Sequence, residues 1–378
     1  VERDPEARMT PPLNTRTIPW WHPQMSGGEE ARVLEVLRSN YLNDGDVTTE
    51  FEGRIAGLFG ASHAVATTSG TTAIFLALAA AGIGAGDEVI VPDVTFIATA
   101  NAVRLAGATP VMVDVDPRTL NIDPAQVRDT ITPRTKAIVP VHVSGRAADM
   151  PALMAMAAAQ GLAVIEDAAE ALLSRSRGRA LGTIGLAGCL SFSPNKTITT
   201  GQGGMVLTND AAFASRLRAL KDHGRPTRGT GGNDEHPTLG FNFKLTNLQS
   251  AVGLAQADLL ELRAARLKQI YRVYRDGLAG IAGLVLPGFD VDDGETPQWV
   301  DVIADRRDAL VEHLLARGIH SRPFWYPLHT QAPYRRPDSQ FPNSSRLMPK
   351  ALWLPSALSL TDDDVELVCR TIRGFYER

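Results

Sequence analysis

Four short runs of this chain bring together residue types that could do chemistry. The first, Thr68-Ser69-Gly70-Thr71-Thr72, stands directly before the apolar stretch AIFLALAAA. Small and hydroxyl residues at a helix start offer unpaired N–H groups and a positive dipole end to an anion such as phosphate. They also make an ordinary N-cap, and both readings stand. No Gly-Lys-Ser/Thr follows at P-loop spacing. The second run, Val164-Ile165-Glu166-Asp167-Ala168-Ala169-Glu170, ends a buried strand in a carboxylate. Such an Asp could hold a ring nitrogen protonated, or cap a following helix with Glu170 as its box partner. The third run spans Ser191 to Gly204 and carries Lys196 out of a strand into a Gly-rich loop. A lysine there is either a solvated side chain or an amine placed to form a Schiff base. The fourth, His320-Ser321-Arg322-Pro323-Phe324-Trp325-Tyr326-Pro327-Leu328-His329, sets Arg and His among aromatics and prolines. It reads as a rigid wall for sugar, base or diphosphate, or as core with a satisfied His.

Their order narrows the choice. A phosphate-type loop, an aromatic (Phe96, after the strand EVIVP), a strand-end Asp and a strand-end Lys follow one another along an α/β chain. In that sequence they make a site for pyridoxal phosphate, whose ring acts as an electron sink. A dinucleotide site would need Gly-x-Gly-x-x-Gly at the first strand–helix turn, and none is present.

The elements that must position these groups are legible as periodic runs. Helices are predicted over Gly28–Ser39, Thr48–Leu58, Thr72–Ala81, Ile97–Leu105 and Met150–Gln160, and strands over Glu88–Val91, Pro110–Val115, Ala137–Val141 and Ala163–Glu166. Short apolar strands alternating with helices indicate a mostly parallel sheet covered on both faces, with ligands at the strands' carboxyl ends. Cys189–Phe192 and Met205–Thr208 read as two further strands, and Asn247–Val273 as long helical segments leading into an α+β remainder. Arg225–Glu235 lacks any apolar period and reads as a mobile loop. The predicted division is an arm over 1–25, a large α/β domain over 26–250 and a smaller C-terminal α+β domain over 251–378.

The chain has 378 residues, 44% apolar and 21% charged, with a formal net charge of -4 and no dense basic run, which argues against nucleic acid as a partner. Its two cysteines suit neither a disulfide framework nor a metal site. The polar start shows no signal-peptide pattern, and the longest apolar stretch, Ala73 to Ile83, is shorter than a membrane span. A cytoplasmic protein without membrane contact is expected.

The chain resembles the DegT/DnrJ/EryC1/StrS family of sugar aminotransferases. The resemblance runs from about residue 18 to the C-terminus, on TTSGTTAIFLAL, GDEVIVPDVTFIATANAV, VMVDVDPRTLNID, VIEDAAEA, SFSPNKTITTGQGGMVLTND, FNFKLTNLQSAVGLAQ and SRPFWYPLH. It implies the aspartate-aminotransferase-like (fold type I) architecture, pyridoxal phosphate cycling through pyridoxamine phosphate, and a homodimer with shared active sites. It further implies that Lys196 carries the Schiff base, Asp167 pairs with the pyridine nitrogen and Phe96 stacks on the ring. Gly70, Thr71 and Ser191 hold the phosphate, Ser69 stands beside them where the family often has Asn, and Pro194 replaces a common Gly. Glu170 lies near the phenolic oxygen, Asn242 reaches the neighbouring subunit's phosphate, and Arg322 and His329 belong to the sugar-nucleotide pocket. Dehydratase members of the family carry His in place of the lysine, so Lys196 implies amino transfer. Within the family the motifs are most similar to the branch that aminates GDP-4-keto-6-deoxymannose at C4 with L-glutamate as donor. A dTDP- or UDP-linked keto-sugar, a cyclitol ketone and a non-catalytic, cofactor-bound regulator are the alternatives.

Overall fold

Strands of β-branched and small apolar residues, none longer than five residues, build the central sheet of the computed structural model, which describes residues 17–25, 27–227 and 235–377. They are β1 (His63–Thr67), β2 (Glu88–Pro92), β3 (Thr109–Val113), β4 (Thr135–Ile138), β5 (Ala163–Asp167), β6 (Ala187–Ser191) and β7 (Gly204–Thr208). Their order in the sheet is β1-β7-β6-β5-β4-β2-β3. The pairs β2–β3, β2–β4, β4–β5 and β5–β6 are parallel. Only β7 is reversed, pairing antiparallel with both β6 and β1. Six strands therefore end on one edge of the sheet, and β7 begins there.

The helix Gly70–Ala80 (GTTAIFLALAA) explains how that edge is fixed. It is apolar all round, so it has to be buried on every side; Ala73 through Leu78 are indeed buried, packed between the sheet and the helices Ala98–Leu105 and Ala211–Lys221. Ser69 starts it with a capping box: its side chain accepts from the Thr72 N–H while the Ser69 N–H donates to Thr72 Oγ1 at 2.9 Å. Helix Met150–Gln160 spans the predicted residues, with Asp149 capping its start and Gly161 in the left-handed conformation (φ 66°) at its end.

A second, antiparallel sheet joins Leu284–Val285, Asp301–Ala304, Ala351–Trp353 and Arg322–Pro323 in that order. Helices Leu260–Gly277, Arg307–Leu315 and Asp362–Tyr376 cover it through a core that includes Tyr274, Leu310, Leu314, Val368 and Ile372. Between the two sheets lies an aromatic seam of Trp20, Trp21, Trp299, Phe324, Trp325 and Trp353.

Two expectations shift in detail. The strand predicted to reach Val141 stops at Ile138, because Pro140 has no N–H to continue the ladder, and pairing resumes as a single bridge between Val141 and Asp167. The strand His63–Thr67 was not among the predicted elements; its period-2 signal is too short to stand out. Of the predicted loop Arg225–Glu235, residues 228–234 lie outside the described residues, as do residues 1–16 of the predicted arm.

Where β7 starts, backbone meets backbone. A Cβ on Gly204 would stand 2.2 Å from the Ser69 carbonyl oxygen, and one on Gly70 2.9 Å from Ser191 Cβ. Gly204→Ala is therefore expected to push the Ser69–Thr71 turn off β7. The loss is about 1–3 kcal/mol of stability, the range for overpacking a close contact, read as a lowered midpoint in a denaturant titration.

Candidate active site

The sheet edge where six strands end opens into a cavity of about 330 Å³. Ser69, Gly70, Thr71, Phe96, Asp167, Glu170, Ser191, Lys196 and Arg322 all line it. Each arrives by a different element. β1 delivers Ser69–Thr71, β2 delivers Thr95 and Phe96, β5 delivers Asp167 and Glu170, and β6 delivers Ser191 and then Lys196. Arg322 comes from the second sheet.

At the phosphate-type turn the capping reading of the sequence holds, and donors are left over for an anion. The Ser69 side chain is used in capping, while the first helical amides, those of Gly70 and Thr71, have no acceptor within the helix. Ser191 Oγ lies beside them, 3.2 Å from Ser193 Oγ. Together they make a neutral, donor-rich seat for a phosphate at the positive end of the helix dipole.

Asp167 is buried. Its Oδ2 accepts from the Thr99 hydroxyl at 2.8 Å and its Oδ1 from the Ala169 N–H at 3.2 Å. No Lys, Arg or His among the described residues stands within ion-pair distance of this carboxylate, and burial pushes its pKa up against the lowering effect of the Thr99 bond. No helix follows it, so the capping-box reading of Asp167 with Glu170 falls away. A carboxylate held dry without a cation asks for one from a ligand.

Glu170 is fixed from behind and engaged in front. Its Oε2 accepts from the Ser144 N–H at 3.0 Å, and its Oε1 accepts from Lys196 Nζ at 3.2 Å. Ser144 makes that bond from the left-handed region (φ 54°), and the next residue must be Gly145 (φ 97°), since a Cβ there would stand 2.1 Å from the Thr296 carbonyl oxygen. Burial raises the Glu170 pKa, the Lys196 charge opposing it.

Lys196 sits in a loop pinned on three sides. Its own N–H donates to the Ser193 carbonyl at 3.0 Å, Thr199 and Thr200 both donate to the Phe192 carbonyl, and Arg263 donates to the Thr197 carbonyl. The amine is nearly buried, 5.0 Å from the centre of the Trp299 ring. This is not the solvated lysine that the sequence left open. Phe96 is 55% exposed, its ring 6.5 Å from that of Trp325, so a flat face is presented to the cavity.

These features fit pyridoxal phosphate: a donor-rich turn for its phosphate, an uncompensated buried carboxylate for its ring nitrogen, an aromatic face and an amine.

Arg322 lays its guanidinium 4.9 Å from the Trp20 ring and 5.8 Å from that of Trp353, with no carboxylate partner among the described residues. His329 and Asn242 do not line this cavity. His329 is fully buried, its Nδ1 2.6 Å from Asp93 Oδ2, its N–H donating to Asp93 Oδ1 at 2.8 Å, and its ring stacked on Phe341. It borders a second cavity of about 220 Å³ that shares Trp325 with the first. Asn242 is exposed and forms an isolated bridge with Asp222. Sequence reasoning missed Thr99, Trp299 and Trp353. Thr99 had a signal, lying one helical turn after Thr95, to which it bonds at 2.7 Å; the tryptophans had none.

Comparison with known proteins agrees with this geometry. The chain is 40% identical over 357 residues to GDP-perosamine synthase of Caulobacter vibrioides, covering 92% of this chain and 95% of that one. It is 37% identical to the spore coat polysaccharide biosynthesis protein SpsC of Bacillus subtilis, covering 94% and 96%. Among solved structures, DesV of S. venezuelae in complex with a ketimine intermediate superposes with a TM-score of 0.91 at 35% identity, covering 96% of this chain and 100% of that one. DesI in the presence of its TDP-sugar product gives 0.88 at 35% identity, covering 97% and 94%. Residues 23–373 match the DegT/DnrJ/EryC1/StrS aminotransferase family, and the chain belongs to that family of pyridoxal-phosphate-dependent sugar aminotransferases.

Proposed function

We propose that this enzyme moves the amino group of L-glutamate to C4 of GDP-4-keto-6-deoxymannose, releasing 2-oxoglutarate and GDP-perosamine. The observation that carries amino transfer is the amine of Lys196 set beside Glu170 and the Trp299 ring in the cavity that Asp167 also lines. The GDP-sugar is supported by the 40% identity to a GDP-perosamine synthase over nearly the whole chain.

When bound, pyridoxal phosphate supplies an electron sink that lets an amino group leave one substrate and join another. Asp167 keeps that sink charged by holding a proton on the ring nitrogen, and Thr99 fixes the carboxylate's direction. Gly70, Thr71 and Ser191 anchor the phosphate, and Phe96 holds the ring flat. Lys196 Nζ takes the proton from the α-carbon of glutamate; in the second half it delivers a proton to C4 of the sugar. Glu170, buried beside that amine, holds it in reach of both positions. Two copies of the chain share the site, with Asn242 of each reaching the other's phosphate. Arg322, at the cavity wall without a carboxylate partner, is suited to the substrate's diphosphate.

The test is an absorption spectrum of the cofactor-loaded protein. L-Glutamate should abolish the band of the lysine-bound cofactor, and GDP-4-keto-6-deoxymannose should restore it. Loss without return would leave amino transfer standing and remove this sugar. No response to glutamate or to glutamine would remove the catalytic reading.

A further inference from the structure

The second cavity is walled by the run Pro323 to Pro327, of which Trp325 also lines the active site. Three of its features are those of a nucleobase seat. Tyr326 has 77% of its surface exposed, which is unusual for a large aromatic and leaves a face free for stacking. Asp338, whose carboxylate is 81% exposed, lines the same cavity, its Oδ1 3.4 Å from His329 Nε2. Ser345 and His329, which also line it, bring a hydroxyl and a ring nitrogen to 3.2 Å of each other. Asp93, with the Ser344 hydroxyl on its Oδ2, holds His329 Nδ1, which turns Nε2 toward Ser345 and Asp338. Arg322 stands on the same wall, on the active-site side, where a diphosphate joining sugar to base would pass.

We propose, building on the function proposed above, that this second cavity seats the substrate's base, stacked on Tyr326, and that Asp338 selects guanine. The argument is one of donor pattern. Guanine presents two adjacent donors, the ring N1–H and the exocyclic amine, which one carboxylate accepts together. Uracil and thymine present a single N–H flanked by two carbonyl oxygens that a carboxylate repels. Adenine presents an acceptor at N1, which repels it as well. Selection thus comes from a favourable pair with one base and a repulsive contact with the others.

The experiment is calorimetric titration of the cofactor-loaded enzyme with GDP, UDP and dTDP. Wild-type enzyme should bind GDP most tightly. Asp338→Asn should weaken GDP by roughly ten- to a hundredfold, the value of a bidentate pair to a base edge, while UDP and dTDP bind more tightly than to wild type, the repulsion being removed. Tyr326→Ala should weaken all three, since stacking does not distinguish bases. Both residues are exposed, and the cofactor absorption of each variant reports that the fold is kept. If wild type prefers GDP but Asp338→Asn keeps that preference, the base lies elsewhere; this inference fails and the proposed function survives. If wild type prefers dTDP or UDP, the guanine assignment and the proposed GDP-sugar fail together.

Discussion

Replacing Lys196 with Ala is expected to lower both half-reactions by about a thousandfold or more, the combined effect of losing a positioned proton carrier and a nucleophile. The structure indicates that the protein will still fold. Among the described residues the amine's only charged partner in contact is Glu170, which burial already inclines toward its neutral form, so removing Lys196 leaves a group that can take up a proton. Single-turnover absorption after adding L-glutamate measures the first half, and product analysis with the keto-sugar measures the second. Lys196→Arg keeps a charge beside Glu170 and should be nearly as slow, separating chemistry from electrostatics. Turnover of Lys196→Ala within tenfold of wild type would place the reacting amine elsewhere.

Asp167→Asn is the second large effect. Asn keeps the volume and one acceptor for the Thr99 hydroxyl but removes the charge, so the ring nitrogen loses its proton-holding partner. A fall of about a hundred- to a thousandfold in kcat/KM is expected, the range for one pre-organised electrostatic contact. The same residue predicts a pH effect on stability. In the cofactor-free protein its pKa is raised by burial above the ordinary 3.8. Its favourable contribution is therefore present below that value and is lost as pH rises through the raised folded-state value. A cation at the ring nitrogen cancels that loss. The gap in melting temperature between loaded and cofactor-free enzyme should widen as pH climbs through this window in wild type, and stay flat there in Asp167→Asn. Equal widening in both proteins would show that Asp167 does not face a cation.

The sequence revealed most of the strand ends because ligand chemistry and strand termination coincide in this fold. Asp167 is the last residue of β5 and Ser191 the last of β6, and each was legible as the polar end of an apolar run. Helix limits came through at Met150–Gln160, with Asp149 and Gly161 at its ends, and drifted by two residues at Asp46–Phe59, predicted from Thr48, where Gly45 makes no side-chain cap. What stayed hidden depends on long-range packing. The bond from Ser144 to Glu170 requires a positive φ at a serine, a choice made by the Thr296 backbone lying against Gly145. The Trp299 ring beneath Lys196 and the burial of His329 on Asp93 join segments more than a hundred residues apart. Local periodicity carries no trace of such meetings, which is why neither the ring beneath Lys196 nor the burial of His329 was legible in the chain.

The aromatic seam has a consequence for observing this enzyme. All five tryptophans of the chain, Trp20, Trp21, Trp299, Trp325 and Trp353, belong to that one cluster, and three of them line the site. No indole elsewhere dilutes their signal, so the protein's intrinsic fluorescence is in effect a local probe. Energy transfer from this cluster to an absorbing cofactor in the cavity would make emission a direct gauge of cofactor occupancy, with no label to attach.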